Sequence, residues 1–198
     1  MADTKEKILN TALRLFARDG YEAVSVRHIS EELGMTKGAL YRHYKNKRDI
    51  FNSIVERMIQ IDAQRAGEYQ MPVEIYDVSP DSYGNTSLES IQMFTIEQFR
   101  FWTEDEFASQ FRKMLTLEQY RDPAMARLLQ QVLAAGPLEY VTALLSDMTD
   151  DPQALALTLY GPMFLLYSVY DGAQDKEAVT AMLDAHIDRF AREWEGRA

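Results

Sequence analysis

Apolar residues recur at three- and four-residue spacing from one end of this chain to the other. No run alternates apolar and polar residues as a half-buried strand does, so the pattern restricts the chain to helices. Ile8, Leu9, Ala12, Leu13, Leu15 and Phe16 form the first stripe, which starts after Thr4 and stops at Gly20, a natural C′ residue. Ser25 reads as the N-cap of a second, short helix with Ile29 and Leu33 inward, and Gly34 closes it. Thr36 caps a third, whose Leu40 and Tyr44 share one face. Asn46 to Asp49 breaks the pattern. A long helix then carries Phe51, Ile54, Val55, Met58 and Ile61 to about Tyr69.

Punctuation divides the remainder. Met71-Pro72, Ser79-Pro80 and Tyr83-Gly84-Asn85 mark residues 70–85 as a loop. Thr86 with Glu89, and Thr103 with Glu106, have the spacing of capping boxes that open two further helices. Asp122-Pro123 and Asp151-Pro152 each put a capping carboxylate before a proline at the first helical position. Gly136-Pro137 is expected to kink or restart one helix, and Gly161-Pro162 to bend another that is apolar on nearly all sides. The last helix carries Val179, Met182, Leu183, His186, Phe190 and Trp194 on one stripe. About nine helical segments result. The chain reads as all-α, with a three-helix helix-turn-helix head over residues 1–47 and a larger helical body over 48–198.

Charge separates the same two parts. The 198 residues carry a net charge of −10, yet residues 1–50 hold ten Lys and Arg against seven Asp and Glu. A basic head on an acidic body can bind nucleic acid locally while the body discourages loose association. The chain contains no cysteine, which excludes disulfides, thiolate nucleophiles and cysteine zinc sites. The N-terminus lacks the apolar run of a signal peptide, and the stretch Leu155–Tyr170 is too short for a membrane span. A cytoplasmic protein without membrane association is expected.

Two short helices joined at a glycine turn, the second rich in donors, have the form of a helix-turn-helix. Thr36 and Lys37 at the start of the third helix suit phosphate. Gly38 lets backbone approach another surface closely. Tyr41 offers a ring for a thymine methyl and a hydroxyl for phosphate. Arg42 and His43 project from the same segment, and which of them reads bases stays open. Lys47, just past it, and Ser25 and Arg27, opening the second helix, are further candidate DNA contacts. Three histidines far apart make a poor metal site, and no cofactor is expected.

The segment Gly34-Met35-Thr36-Lys37-Gly38-Ala39-Leu40-Tyr41-Arg42-His43-Tyr44-Lys45-Asn46-Lys47, preceded by Gly20-Tyr21 and Ser25-Val26-Arg27-His28-Ile29 and followed by Ile50-Phe51, resembles the head of the tetracycline-repressor (TetR) family. The resemblance covers the first quarter of the chain. Tyr44 stands where phenylalanine is frequent, a swap that keeps an aromatic ring. The resemblance implies a ligand-responsive regulator, most often a repressor, that binds a palindromic operator as a homodimer. It also implies that a small effector binds in the body and that the last two helices form the dimer interface. Met163, Leu166, Met182, His186, Phe190 and Trp194 are the residues expected there. Phe94, Phe99, Trp102, Phe111, Met114 and Met125 are candidates to line an apolar effector pocket, most of the aromatic middle being core. No nucleophile–base pair, glycine-rich phosphate loop or metal set marks an enzyme. A non-catalytic helical interaction module and, less favoured, an enzyme with an apolar pocket stand as the rival readings.

Overall fold

A computed structural model describes residues 2–68 and 87–195 of the chain. Among the described residues there are ten helices and no strand. They are α1 (Ala2–Asp19), α2 (Val26–Glu32), α3 (Lys37–Tyr41), α4 (Lys47–Glu68), α5 (Leu88–Glu104), α6 (Glu106–Glu118), α7 (Pro123–Leu133), α8 (Ala135–Leu144), α9 (Pro152–Gly172) and α10 (Lys176–Glu195). The expected restart after α7 occurs: Ala134 leaves helical geometry, with φ −128° and ψ −93°, and α8 begins at the next residue. A Cβ on Gly136 would be driven into the carbonyl oxygen of Gln131, so only glycine fits this corner. The expected loop at 70–85 lies outside the described residues.

The helices gather into two compact units, one of residues 1–64 with 106–129 and the other of residues 65–105 with 130–198. Packing thus groups α6 and most of α7 with α1 to α3 and most of α4, and the division expected at residue 47 falls inside this unit. In the first unit Ile8, Leu9, Ala12, Leu13, Leu15 and Phe16 of α1 are all buried. α1 packs on both α2 and α6, the latter contributing Ala108, Phe111, Met114 and Leu115 to the core. Tyr21 meets Phe16 and Phe51 edge-on, with ring centroids 5.0 and 5.3 Å away. Each large side chain buried in this way contributes about 1.5–3 kcal/mol.

The second unit packs α5, α8 and α10 against α9. Phe99 stacks on Tyr167, with centroids 5.4 Å apart and planes 8° from parallel. The Tyr160 hydroxyl donates to the carbonyl of Leu133 at 2.6 Å and so holds the end of α7 at the α7–α8 corner. Burial alone pushes the Tyr160 phenol well above its usual range.

Most local stop and start signals work as their chemistry requires. Asp122 Oδ1 accepts from the Ala124 N–H, and Asp151 Oδ1 from the Ala154 N–H, each ahead of its proline. The second capping box does not form. Thr103 lies buried inside α5, where its hydroxyl donates to the Phe99 carbonyl at 2.7 Å, and α6 starts only at Glu106. A threonine hydroxyl satisfied by the carbonyl four residues back has no need to cap. At the start of α5 the cap is Ser87, whose hydroxyl accepts from Ser90 N–H. Thr86, the cap expected there, lies outside the described residues.

Pro162 lies inside α9. Having no N–H, it leaves the carbonyl of Thr158 without its helical donor. The His186 ring of α10 fills that vacancy, with Nε2 3.1 Å from Thr158 O. Because a carbonyl only accepts, Nε2 must carry the proton. His186 therefore serves the backbone of α9.

This pairing predicts a coupling. His186→Ala should cost about 1 kcal/mol of unfolding free energy by urea titration. In a Pro162→Ala background, where Thr158 regains a helical donor, the same substitution should cost almost nothing. Equal losses in both backgrounds contradict the assignment.

Candidate nucleic-acid interface

The α2–α3 turn is built by its backbone. Gly34 adopts φ +62°, its N–H reaches Glu31 O at 3.0 Å, and the Met35 N–H reaches Ser30 O at 2.9 Å. These two bonds close α2 as a Schellman motif. Gly34 is needed because an L side chain resists positive φ.

Ser25 and His28 cap α2 reciprocally. The Ser25 hydroxyl accepts from the His28 N–H at 3.2 Å, and His28 Nδ1 accepts from the Ser25 N–H at 3.3 Å. Histidine here does what glutamate or glutamine does in the usual capping box. The serine was legible as a cap, whereas His28 was not, because its residue type does not signal the role. Arg27 projects outward and pairs with Glu31 at 2.7 Å. The hydrogen bond and charge of Glu31 hold its guanidinium above the usual range. Exposed on both sides, this pair is weak and yields readily to a phosphate.

Thr36 caps α3, its hydroxyl accepting from the Ala39 N–H at 3.1 Å. The helix is a single turn that ends at Tyr41, with Arg42 as its C-cap. Leu40 is completely buried, and Tyr44 is buried with its hydroxyl donating to Lys5 O at 3.3 Å. Burial raises the Tyr44 phenol, and the Asp49 charge adds to the rise. Those two residues seat α3, while Thr36, Lys37, Gly38, Tyr41 and Arg42 all face solvent. Tyr41 is 44% exposed, and the Lys37 ammonium rests 5.6 Å from its ring centroid. A Cβ on Gly38 would meet no atom within 4 Å. Among the described residues no side chain or remote backbone demands glycine at that position.

His43 is half-buried. Lys47, expected on phosphate, is engaged within the head: its Nζ donates to the Tyr21 carbonyl at 2.9 Å and stands 4.1 Å from the centroid of the Tyr21 ring. Its Nζ also lies 3.7 Å from Glu22 Oε2. Asn46, in turn, caps α4 through the Asp49 N–H at 2.8 Å, and the Asp49 carboxylate accepts the Lys45 N–H at 2.8 Å. This starts α4 two residues before the position expected from the apolar pattern.

The other candidate residues sort by unit. Phe94, Phe99 and Trp102 belong to the second unit, Phe111, Met114 and Met125 to the first. All but the half-buried Phe94 are buried. Of the expected interface residues, Met163, Leu166 and Phe190 are buried in their own unit's core. Met182 is 57% exposed, and Trp194 is half-buried. α9 also exposes Leu157, Phe164, Leu165 and Val169, which the sequence did not single out. A helix apolar all round carries no phase from which to tell its two faces apart.

Among the described residues no helix is long and apolar enough to cross a membrane. Residues 8–54 match the family described as bacterial regulatory proteins, tetR family. The transcriptional regulator AcrR of Shigella flexneri is 43% identical over 54 residues, which are 27% of this chain and 25% of that protein. YerO of Bacillus subtilis, an uncharacterized HTH-type transcriptional regulator, is 41% identical over 59 residues, 30% of this chain and 20% of its own length. The chain thus spans a quarter or less of these curated relatives. Over 96% of the chain the fold matches SmeT, the repressor of the Stenotrophomonas maltophilia multidrug efflux pump SmeDEF, with a TM-score of 0.64, 19% identity and 89% of that chain covered. A SmeT–triclosan complex matches with a TM-score of 0.60, at 19% identity, over 94% of this chain and 91% of that one.

Replacing Ser25 by alanine removes half of the reciprocal cap on α2. The expected cost is about 1 kcal/mol, read as a lowered urea midpoint with an unchanged slope, whereas an unchanged midpoint would assign the capping to His28 alone.

Proposed function

We propose that this chain, whose helix-turn-helix head belongs to the TetR family of bacterial regulators, is a transcriptional regulator that binds duplex DNA as a homodimer and responds to a small effector. One observation carries the DNA reading. The outer face of α3 is relieved of internal duties: Leu40 and Tyr44 hold it from behind, and Gly38 keeps an open space that the described residues do not use. A glycine flanked by Lys37 and Tyr41 on an exposed turn suits a backbone brought against a phosphate or a base edge. Arg42 adds a guanidinium of the kind that reads guanine. Ser25, Arg27 and Thr36 flank this face and suit phosphates, as does His43 where it reaches solvent. For Lys47 a phosphate contact means sharing its ammonium with the Tyr21 carbonyl.

The homodimer reading rests on α9. No charged residue occurs between Pro152 and Tyr170, yet Leu157, Phe164, Leu165 and Val169 are 40–64% exposed, with Met182 of α10 at 57%. An uncharged apolar stripe of this length calls for a cover. A second copy supplies one by two-fold symmetry, stripe against stripe. Two heads then reach half-sites about 34–36 Å apart. Met163, Leu166 and Phe190 support this face from behind, and His186 ties its two helices.

The effector is proposed to be small and largely apolar, and its binding to shift the dimer between head spacings that fit and do not fit the operator. Repression is favoured over activation by likeness to SmeT, a repressor that also forms a triclosan complex. Within the second unit the buried Phe99 and Trp102, with Phe94 bordering solvent, suit an apolar contact as well as a core, and the same holds separately for Phe111, Met114 and Met125 in the first.

Two substitutions test this. Gly38→Val should leave the far-UV spectrum and melting temperature nearly unchanged. It should lower affinity at least tenfold for duplexes that the wild type selects from a random pool, and retained affinity defeats the close-approach argument. Phe164→Asp should halve the mass measured by sedimentation, and an unchanged mass rules out the α9 face. A rival interaction module would select no duplex and show no steep fall of DNA affinity with salt.

A further inference from the structure

Glu118, the last residue of α6, is 1% exposed. One of its oxygens, Oε1, accepts the backbone N–H of Tyr21 at 2.9 Å, across 97 positions of sequence. The other, Oε2, is buried with no hydrogen-bond partner among the described residues. Arg121, largely exposed, places Nη1 3.8 Å from Oε1. Gly20, at φ +88°, makes room: a Cβ there would lie 2.7 Å from Oε1. A half-satisfied buried carboxylate is a costly choice where stability alone is at stake. What it supplies is direction, a single acceptor aimed at one N–H.

That N–H occupies a particular place. Tyr21 lies four residues before Ser25, which starts α2, and its carbonyl is held by Lys47, which starts α4. The backbone of one residue is thus gripped from α6 on one side and from the exit of the helix-turn-helix on the other. Its ring is fixed as well, between Phe16 and Phe51. We infer that Glu118 is a positioning residue for DNA binding, pinning the helix-turn-helix to α6 through the Tyr21 backbone. The inference rests on the DNA-binding reading of α3. It gives α6 a direct hold on the orientation of the head, separate from the covalent path through α4. A hydrogen bond tolerates only a few tenths of an ångström before it weakens, so small shifts of α6 bear on Tyr21.

The test compares Glu118→Ala with Glu118→Gln, which keeps an acceptor for the Tyr21 N–H. Affinity is measured for duplexes that the wild-type chain selects from a random pool. Head placement is measured in the same proteins through spin labels on Lys45→Cys and Thr116→Cys, the chain having no cysteine of its own. Glu118→Ala is expected to stay folded at the binding temperature, to bind at least tenfold more weakly and to broaden the distance distribution. Glu118→Gln should stay within about threefold of wild type and keep the distribution narrow. Affinity or distances that fail to move in Glu118→Ala overturn the proposal. So does an unfolded Glu118→Ala, which would make Glu118 a stability residue. A Glu118→Gln that behaves like the alanine variant overturns the pin in favour of a role for charge. If the wild type selects no duplex, the DNA reading itself fails, while the distance measurement still judges whether Glu118 places the head.

Discussion

The head depends on α1 being apolar enough to be covered from more than one direction. Its buried positions, Ile8 through Phe16, meet α2 on one flank and α6 on another. α2 and α3 are seven and five residues long, too short to hold helical geometry alone in water. They persist because α1 supplies a wall and because caps satisfy their ends. Remove the wall and neither Ser25 with His28 nor Thr36 has a helix to cap. The outward face of α3 is in this sense a product of inward packing. Leu40 and Tyr44 use the one side that a single turn can commit to a core, which leaves Lys37, Gly38 and Tyr41 to solvent.

Legibility followed the range of the interactions. Signals confined to four or five residues translated directly into structure. Ser25, Thr36, Asp122-Pro123 and Asp151-Pro152 cap as their residue types suggest, and Gly34 takes the positive φ its turn requires. Stripes with a clear polar side were equally plain, as in α1. What stayed hidden was pairing at long range. Nothing near Glu118 announces that it will meet Tyr21, and nothing near His186 announces the proline whose gap it fills. Thr103 misled for a related reason: its spacing to Glu106 is that of a cap, but inside a helix a threonine can turn to the carbonyl behind it. Lys47 had two partners open to it, a phosphate outside or the Tyr21 carbonyl inside, and sequence cannot rank them.

The candidate site shows the same division. Its outer residues were legible because each donor type on an exposed turn has a chemical use at a nucleic-acid surface. The face proposed for self-association was not. Along α9 Leu157 and Leu165 point out while Leu159 and Leu166 point in, and leucines on opposite sides of one helix are the same letter. Only the neighbours α5, α8 and α10 decide which side is core. The absence of charge from Pro152 to Tyr170 does carry information, since a helix with one face in water would ordinarily hold some.

The bond from His186 to Thr158 bears on how α9 and α10 behave as a pair. Helices packed through side-chain ridges alone have nearly equivalent seatings one turn apart, and they slip between them at modest cost. A ring nitrogen on a backbone carbonyl has no equivalent one turn away, because it is the Thr158 carbonyl that Pro162 deprives of its helical donor. The proline gap therefore works as a notch with a single tooth, setting the axial register of the two helices. Whatever α9 and α10 meet along their outer faces, they meet it as one plate of fixed relief.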